Sequence, residues 1–165
     1  MRCAIADDDG MRLRVLGVGE APSAGVRKSV IIDPDAATAA ISRALDLAER
    51  AAGVEVDSAL LTLGGRHLIS QSRRAVVSIA SRSGAVGTGD LNRVLEAARE
   101  PSNLDGSEVV HLIPRSYAVD EMADTRDPRG VAGSRLGVDA ELVLASTAHL
   151  EALVECAHAA GLRVD

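Results

Sequence analysis

The stretch Asp33–Leu63, DPDAATAAISRALDLAERAAGVEVDSALLTL, changes its hydrophobic period partway along. Asp33 is placed to cap the first free amides, and Pro34 sits where its missing N–H costs nothing. Ile41, Leu45, Ala48 and Ala52 then recur at helical spacing and make one apolar stripe, which Gly53 ends. VEVDSALLTL returns to a strand pattern, with SALLTL expected as a buried strand. A helix that feeds a strand in this way defines a unit of α/β type.

Upstream, Arg2 to Ala6 reads as a short strand, Asp7-Asp8-Asp9-Gly10 as a turn, and Arg12 to Val18 as a returning strand with one wet face. The three aspartates lack the spacing and the distal glutamate of a calcium loop. Downstream, RRAVVSIA alternates with Ala75, Val77 and Ile79 on one side. GDLNRVLEAARE opens near Thr88 as a helix whose stripe is Leu91, Val94, Leu95 and Ala98, and Pro101 closes it. EVVHLIPRSYAVD and RLGVDAELVLAS follow as strands. In the second, Leu136, Val138, Ala140, Leu142 and Leu144 share a face. His111 alternates with Val109 and Ile113 and is expected to face the core. The polar, glycine-rich segment Ala123–Ser134 is expected to be an exposed loop. The middle of the chain, from Leu60 to Leu144, is thus a compact α+β unit of strand, strand, short helix, strand and strand.

A third helix is predicted from about Ala148 to Ala160, with Leu150, Leu153, Val154 and Ala157 on its stripe. Its ending, HAAGLRVD, echoes RAAGVEVD after the first helix. By that echo another strand begins at Leu162 and Val164, and the sequence reads as a portion of a larger fold.

Composition narrows the function. The chain has 165 residues, of which 47% are apolar, and its formal net charge is −6. Tyr117 is the only aromatic residue. An acidic chain without rings to stack bases on is not built to bind nucleic acid. Cys3 and Cys156 are too few for a disulfide framework or a zinc knuckle and read as reduced thiols. No apolar run is long enough to span a bilayer. Two glycine-containing stretches, LGVGEAPSAG and LGGRH, invite a phosphate cradle. Neither has the spacing of one, and neither leads directly into a helix N-terminus. No histidine has a ligand-spaced partner, and the residues supply no catalytic motif.

One feature stands out. From Gly64 to Gly84 there are Arg66, Arg73, Arg74 and Arg82 and no acidic residue. Arg74 is opposite in parity to Ala75, Val77 and Ile79, so it faces solvent. These four arginines are the candidate protein-interaction residues, suited to an acidic surface on a partner. Ordinary solubilising arginines on strand edges are the alternative.

Taken together, RLRVLGVGEAPSAGVRKSVIIDPDAATAAI (Arg12–Ile41), AERAAGVEVDSALLTLGGRHLIS (Ala48–Ser70), GDLNRVLEAAR (Gly89–Arg99), VVHLIPRSYAVD (Val109–Asp120), DPRGVAGSRLGVDAELVLAS (Asp127–Ser146) and AGLRVD (Ala160–Asp165) resemble the FtsA family, actin-like proteins of bacterial cell division. Pilus-assembly and competence relatives share the same insert, but Arg14–Ser29 and His111–Asp120 favour the division family. The resemblance implies a partial actin-like (ribonuclease H-like) subdomain, residues 1–59 and 145–165, carrying a strand–helix–strand–strand insert at 60–144. It implies a non-enzymatic part of a protein that polymerises and links the FtsZ ring to the membrane. Its partners would be other copies of itself and other division proteins, with no nucleic acid and no direct membrane contact by this chain. Its place would be the cytoplasmic side of the membrane at the division site. The family's ATP and magnesium sites, its FtsZ-tail site and its membrane helix match no residue here, so this chain is expected to carry no cofactor. Ser29 stands where the family more often has glycine. Two rivals are an ATP-dependent enzyme of the actin/Hsp70/sugar-kinase superfamily and a free-standing adaptor. Glycine-rich phosphate loops encoded in frame on either side would favour the enzyme.

Overall fold

The computed structural model describes residues 1–100 and 106–164, without the side chains of 122–124. Pro101, the predicted helix stop, lies outside the described residues. In chain order the elements are β1 (Arg2–Asp8), β2 (Leu13–Glu20), β3 (Val26–Arg27), β4 (Val30–Ile31), α1 (Pro34–Ala52), β5 (Ser58–Ala59), β6 (Leu68–Ser78), α2 (Thr88–Arg99), β7 (Ser107–Val119), β8 (Met122–Thr125), β9 (Arg135–Ser146), α3 (Thr147–Ala159) and β10 (Arg163–Val164). They form two compact units, Met1–Arg66 with Ala148–Asp165, and His67–Thr147.

In the first unit, β1 and β2 make the expected hairpin. Its turn is closed by aspartates: Asp8 accepts from the Gly10 amide, and Asp9 from those of Met11 and Arg12. Helix α1 begins as its sequence dictates, with the Asp33 carboxylate accepting from the Ala36 amide at 3.0 Å, and ends on Gly53 at φ +74°. It buries Ala37, Ala40, Ile41, Ala44, Leu45 and Ala48. The small residues in that set have a partner. A Cβ added at Gly19 would lie 2.0 Å from the Ala44 carbonyl oxygen, and one at Gly17 2.5 Å from that of Ala48. The helix therefore rests directly on the β2 backbone. Ala37, Ile41, Leu45, Cys156 and Leu162 form the core. On α3 the buried residues are Cys156 and Ala157, not the predicted Leu150, Leu153 and Val154, which are only half-buried. Both cysteines are free.

SALLTL is not a buried strand. Only Ser58 and Ala59 pair, in parallel with Arg163 and Val164, and Leu60 is 82% exposed. With only β10 beside it among the described residues, β5 has no ladder to extend past Ala59. The echo of the two helix endings is real, however, because each leads into one strand of this pair.

The second unit is a four-stranded antiparallel sheet in the order β6-β9-β7-β8 with α2 across one face. Val94, Ala98, Leu91 and Leu95 of α2 meet Leu136, Val138 and Ala140 of β9, Ala75 and Val77 of β6, and Ile79 just beyond it. Leu136, Leu142, Val94 and Val138 are fully buried, each stabilising the unit by roughly 1.5–3 kcal/mol. One prediction fails here. His111 is exposed, because a bulge between Val109 and His111 shifts the parity of β7. The segment predicted as an exposed loop begins within β8, and beyond Thr125 it is irregular and largely exposed, though fastened as a strap. The Val86 amide donates to the Val131 carbonyl, the Gly130 amide to the Val86 carbonyl and the Gly133 amide to the Gly84 carbonyl, and Pro128 is buried. These bonds satisfy its polar backbone, which is what permits burial.

Candidate functional site

The sheet face of the second unit opposite α2 collects its polar side chains. Along β9 the even residues from Leu136 to Leu144 are buried, while Gly137, Asp139, Glu141 and Val143 project the other way. On β6 the same face carries Ser70, Ser72, Arg74 and Val76, each opposite its β9 neighbour: Ser72 against Glu141, Arg74 against Asp139, Val76 against Gly137. The pairing at the centre is bidentate. Arg74 donates to the two Asp139 oxygens at 2.7 and 2.8 Å. Glu141 accepts from the Ser70 and Ser72 hydroxyls and lies 3.6 Å from Arg115.

These contacts hold both acids ionised. The Arg74 hydrogen bond lowers the Asp139 pKa, and the Ser70 and Ser72 hydroxyls lower that of Glu141. Shallow hollows border the ladder. One, of about 430 Å³, is lined by Ser72, Arg73, Arg74, Arg115, Ser116 and Asp139. Another opens over Gly137, between Val76, Ala118, Asp120 and Arg135. Shallow relief lined by alternating charge suits contact with a protein surface rather than enclosure of a small molecule.

The four sequence candidates divide accordingly. Arg73 and Arg74 sit together on β6, with Arg74 exposed on the open face and Arg73 half-buried on the α2 side. Arg82 is exposed in the turn beyond β6 and outside the hollow that the other two line. Arg66 is exposed in the turn at the end of the first unit. Sequence reasoning missed Arg115, Asp139 and Glu141. The alternation of β9 was a usable signal for the last two, since the residues between its buried positions include two acids.

Asp90 was also missed. It is 3% exposed, and it accepts from the amides of Ala80 and Gly87, both at 3.0 Å, and from Arg93. The two amides dominate in lowering its pKa. It fixes the start of α2 against the end of β6. Among the described residues no group of His, Cys, Asp and Glu is arranged to hold a metal. No helix there is long and apolar enough to cross a membrane.

The two units together make a mixed α/β topology consistent with an actin-like fold bearing an inserted strand–helix–strand–strand domain. Residues 65–144 match the family described as the SHS2 domain inserted in FtsA. The chain is 32% identical to the cell division protein FtsA of Bacillus subtilis over 152 residues, 92% of this chain and 34% of that protein. Against FtsA of Pseudomonas aeruginosa it is 30% identical over 93% of this chain and 36% of that one. Against FtsA of Escherichia coli K12 it is 30% identical over 95% and 37%. The chain spans about a third of the length of the curated relatives it matches. Over the stretch compared the chain is similar to FtsA proteins, and it contains the domain described as inserted in FtsA.

Proposed function

We propose that this chain serves bacterial cell division as the protein-interaction portion of an FtsA-like assembly. In this reading residues 1–59 and 145–165 belong to the first actin-like subdomain, and the insert at 60–144 meets other copies of itself or other division proteins. Polymerisation, ATP and magnesium binding, and attachment of the FtsZ ring to the cytoplasmic side of the membrane would belong to the whole assembly. The observation that carries the reading is the open face of the insert, where the exposed Arg74 and Arg115 pair with the half-buried Asp139 and Glu141. Pairs of this kind contribute little to the fold and are well placed to steer an encounter.

The test is reversal of both arginines, Arg73→Glu with Arg74→Glu. Association is measured by analytical ultracentrifugation at low and high salt and by two-hybrid assay against itself and other division proteins. Weaker association with an intact circular dichroism spectrum, and a larger loss at low salt, is the expected result. Unchanged association with an intact fold would refute the role of these arginines.

A further inference from the structure

Among the described residues, the outer edge of β6 is closed at one end and open along the rest. At its C-terminal end the Ile79 amide donates inward to Ser134 at 2.8 Å, beside the start of β9. The adjacent groups point the other way and are taken by α2: Arg93 donates to the Ser78 carbonyl, and Asp90 accepts from the Ala80 amide. Because backbone groups alternate direction along a strand, the N–H and C=O of Ser70, Ser72, Arg74 and Val76 also turn outward, away from β9. The other side of the sheet agrees. Arg135, of opposite parity to the β9 residues that face odd positions of β6, accepts from Asp120 at the end of β7.

The open edge lacks the devices that normally blunt one. All 11 residues of β6 pair with β9 in unbroken register, without a bulge, and the strand contains no proline. Among the described residues its guard is the Arg73–Arg74 pair. Asp139 neutralises Arg74, while no ion pair holds Arg73 among the described residues. A second copy of β6 laid antiparallel across Ser70–Val76 would set Arg73 against Arg73, and like charges directly opposite are destabilising. An acidic strand meets no such objection.

We propose that β6 takes an extended acidic segment of a partner protein as an added strand, hydrogen-bonded to Ser70, Ser72, Arg74 and Val76, with carboxylates beside Arg73. This deepens the interaction role proposed above and rests on it. Main-chain bonds supply the affinity in such pairing, and the charge selects the partner and excludes self-pairing.

The probe is a synthetic peptide of alternating valine and threonine with two adjacent central glutamates, added to the 165-residue chain. Amide hydrogen exchange should slow by about tenfold or more at Ser70, Ser72, Arg74 and Val76 on binding, with Gln71, Arg73 and Ala75 little changed. A peptide with lysines for the glutamates, and one N-methylated at alternate amides, should each bind at least about tenfold more weakly. Ser72→Pro removes an outward donor without touching the β6–β9 ladder, so it should keep the fold and lose the peptide. Ser72→Ala keeps that donor and should bind normally, which separates the edge from the side chain. No binding of the acidic peptide, or binding indifferent to N-methylation, overturns the added-strand inference. If Arg73→Glu with Arg74→Glu still weakens association while Ser72→Pro does not, the interaction role survives and the edge mode fails.

Discussion

Replacing Gly19 with alanine tests how α1 sits on its hairpin. In a strand alanine ordinarily gains about 0.5–1 kcal/mol over glycine, because glycine gives up more conformational freedom. Here the new Cβ would stand 2.0 Å from the Ala44 carbonyl oxygen, 2.5 Å from the Ala48 amide nitrogen and 2.9 Å from the Leu47 Cβ. Carbon and oxygen need about 3.4 Å or more between them, so α1 must lift by roughly 1.4 Å. Two of the obstacles are helix backbone, which no rotamer change can move. Overpacking costs about 1–3 kcal/mol, and an immovable obstacle puts this site at the upper end. The net expectation, after the glycine gain is set against the clash, is a loss of about 2–2.5 kcal/mol, or roughly 4–10 °C in Tm for a chain of this size. Urea and thermal unfolding followed by far-ultraviolet circular dichroism measure it. Gly10→Ala is the contrast: nothing lies within 4 Å of the added carbon, and only the φ of +79° is strained. Ala44→Gly should not rescue Gly19→Ala, since the clash is with the Ala44 main chain. A neutral or stabilising Gly19→Ala would mean the helix does not rest on β2 as described.

Two further outcomes follow from local geometry. Lys28 and Ser29 both have positive φ, +51° and +63°, in the two-residue turn between β3 and β4, where left-handed backbone penalises a side chain by about 1–2 kcal/mol. Ser29→Gly should therefore raise the unfolding midpoint by the equivalent of about 1 kcal/mol, and no gain in urea stability would refute this. Asp90 has a folded pKa below its unfolded value near 4, so its contribution is full above that value and is lost as pH falls through the lower folded pKa. Asp90→Asn should lower stability near neutrality and flatten the decline below about pH 4; parallel pH profiles of variant and parent would contradict it.

What could be read from the sequence depended on whether its cause was local. Helix α1 was legible because Asp33, Pro34 and Gly53 act on their own neighbours, and the cap at Ala36 is the bond those residue types make. The outward face of Arg74 followed from parity alone. The role of Gly17 and Gly19 was not legible, since a glycine pair looks the same whether it admits a phosphate or a helix. His111 was misplaced because the bulge at Val110 has no distinct composition. The 125–134 strap looked like a loop because its fastening to 84–86 joins residues far apart in the chain. For the site, Arg73 and Arg74 were recognisable as basic residues on a strand. Their acidic counterpart, Asp139, required the register between β6 and β9, which one strand cannot reveal.

Leu68 lies opposite Ala145 and Ser107 opposite Ser146, so the second unit begins and ends on neighbouring strands at one end of its sheet. Adjacent strands are only about 5 Å apart. The host chain therefore has a gap little wider than a hairpin to bridge if the module is removed, and loop-closure entropy changes slowly with the length of what fills it. Such a module behaves as a cassette. It can lengthen, diversify its surface or be exchanged wholesale while the two points of attachment stay where they are.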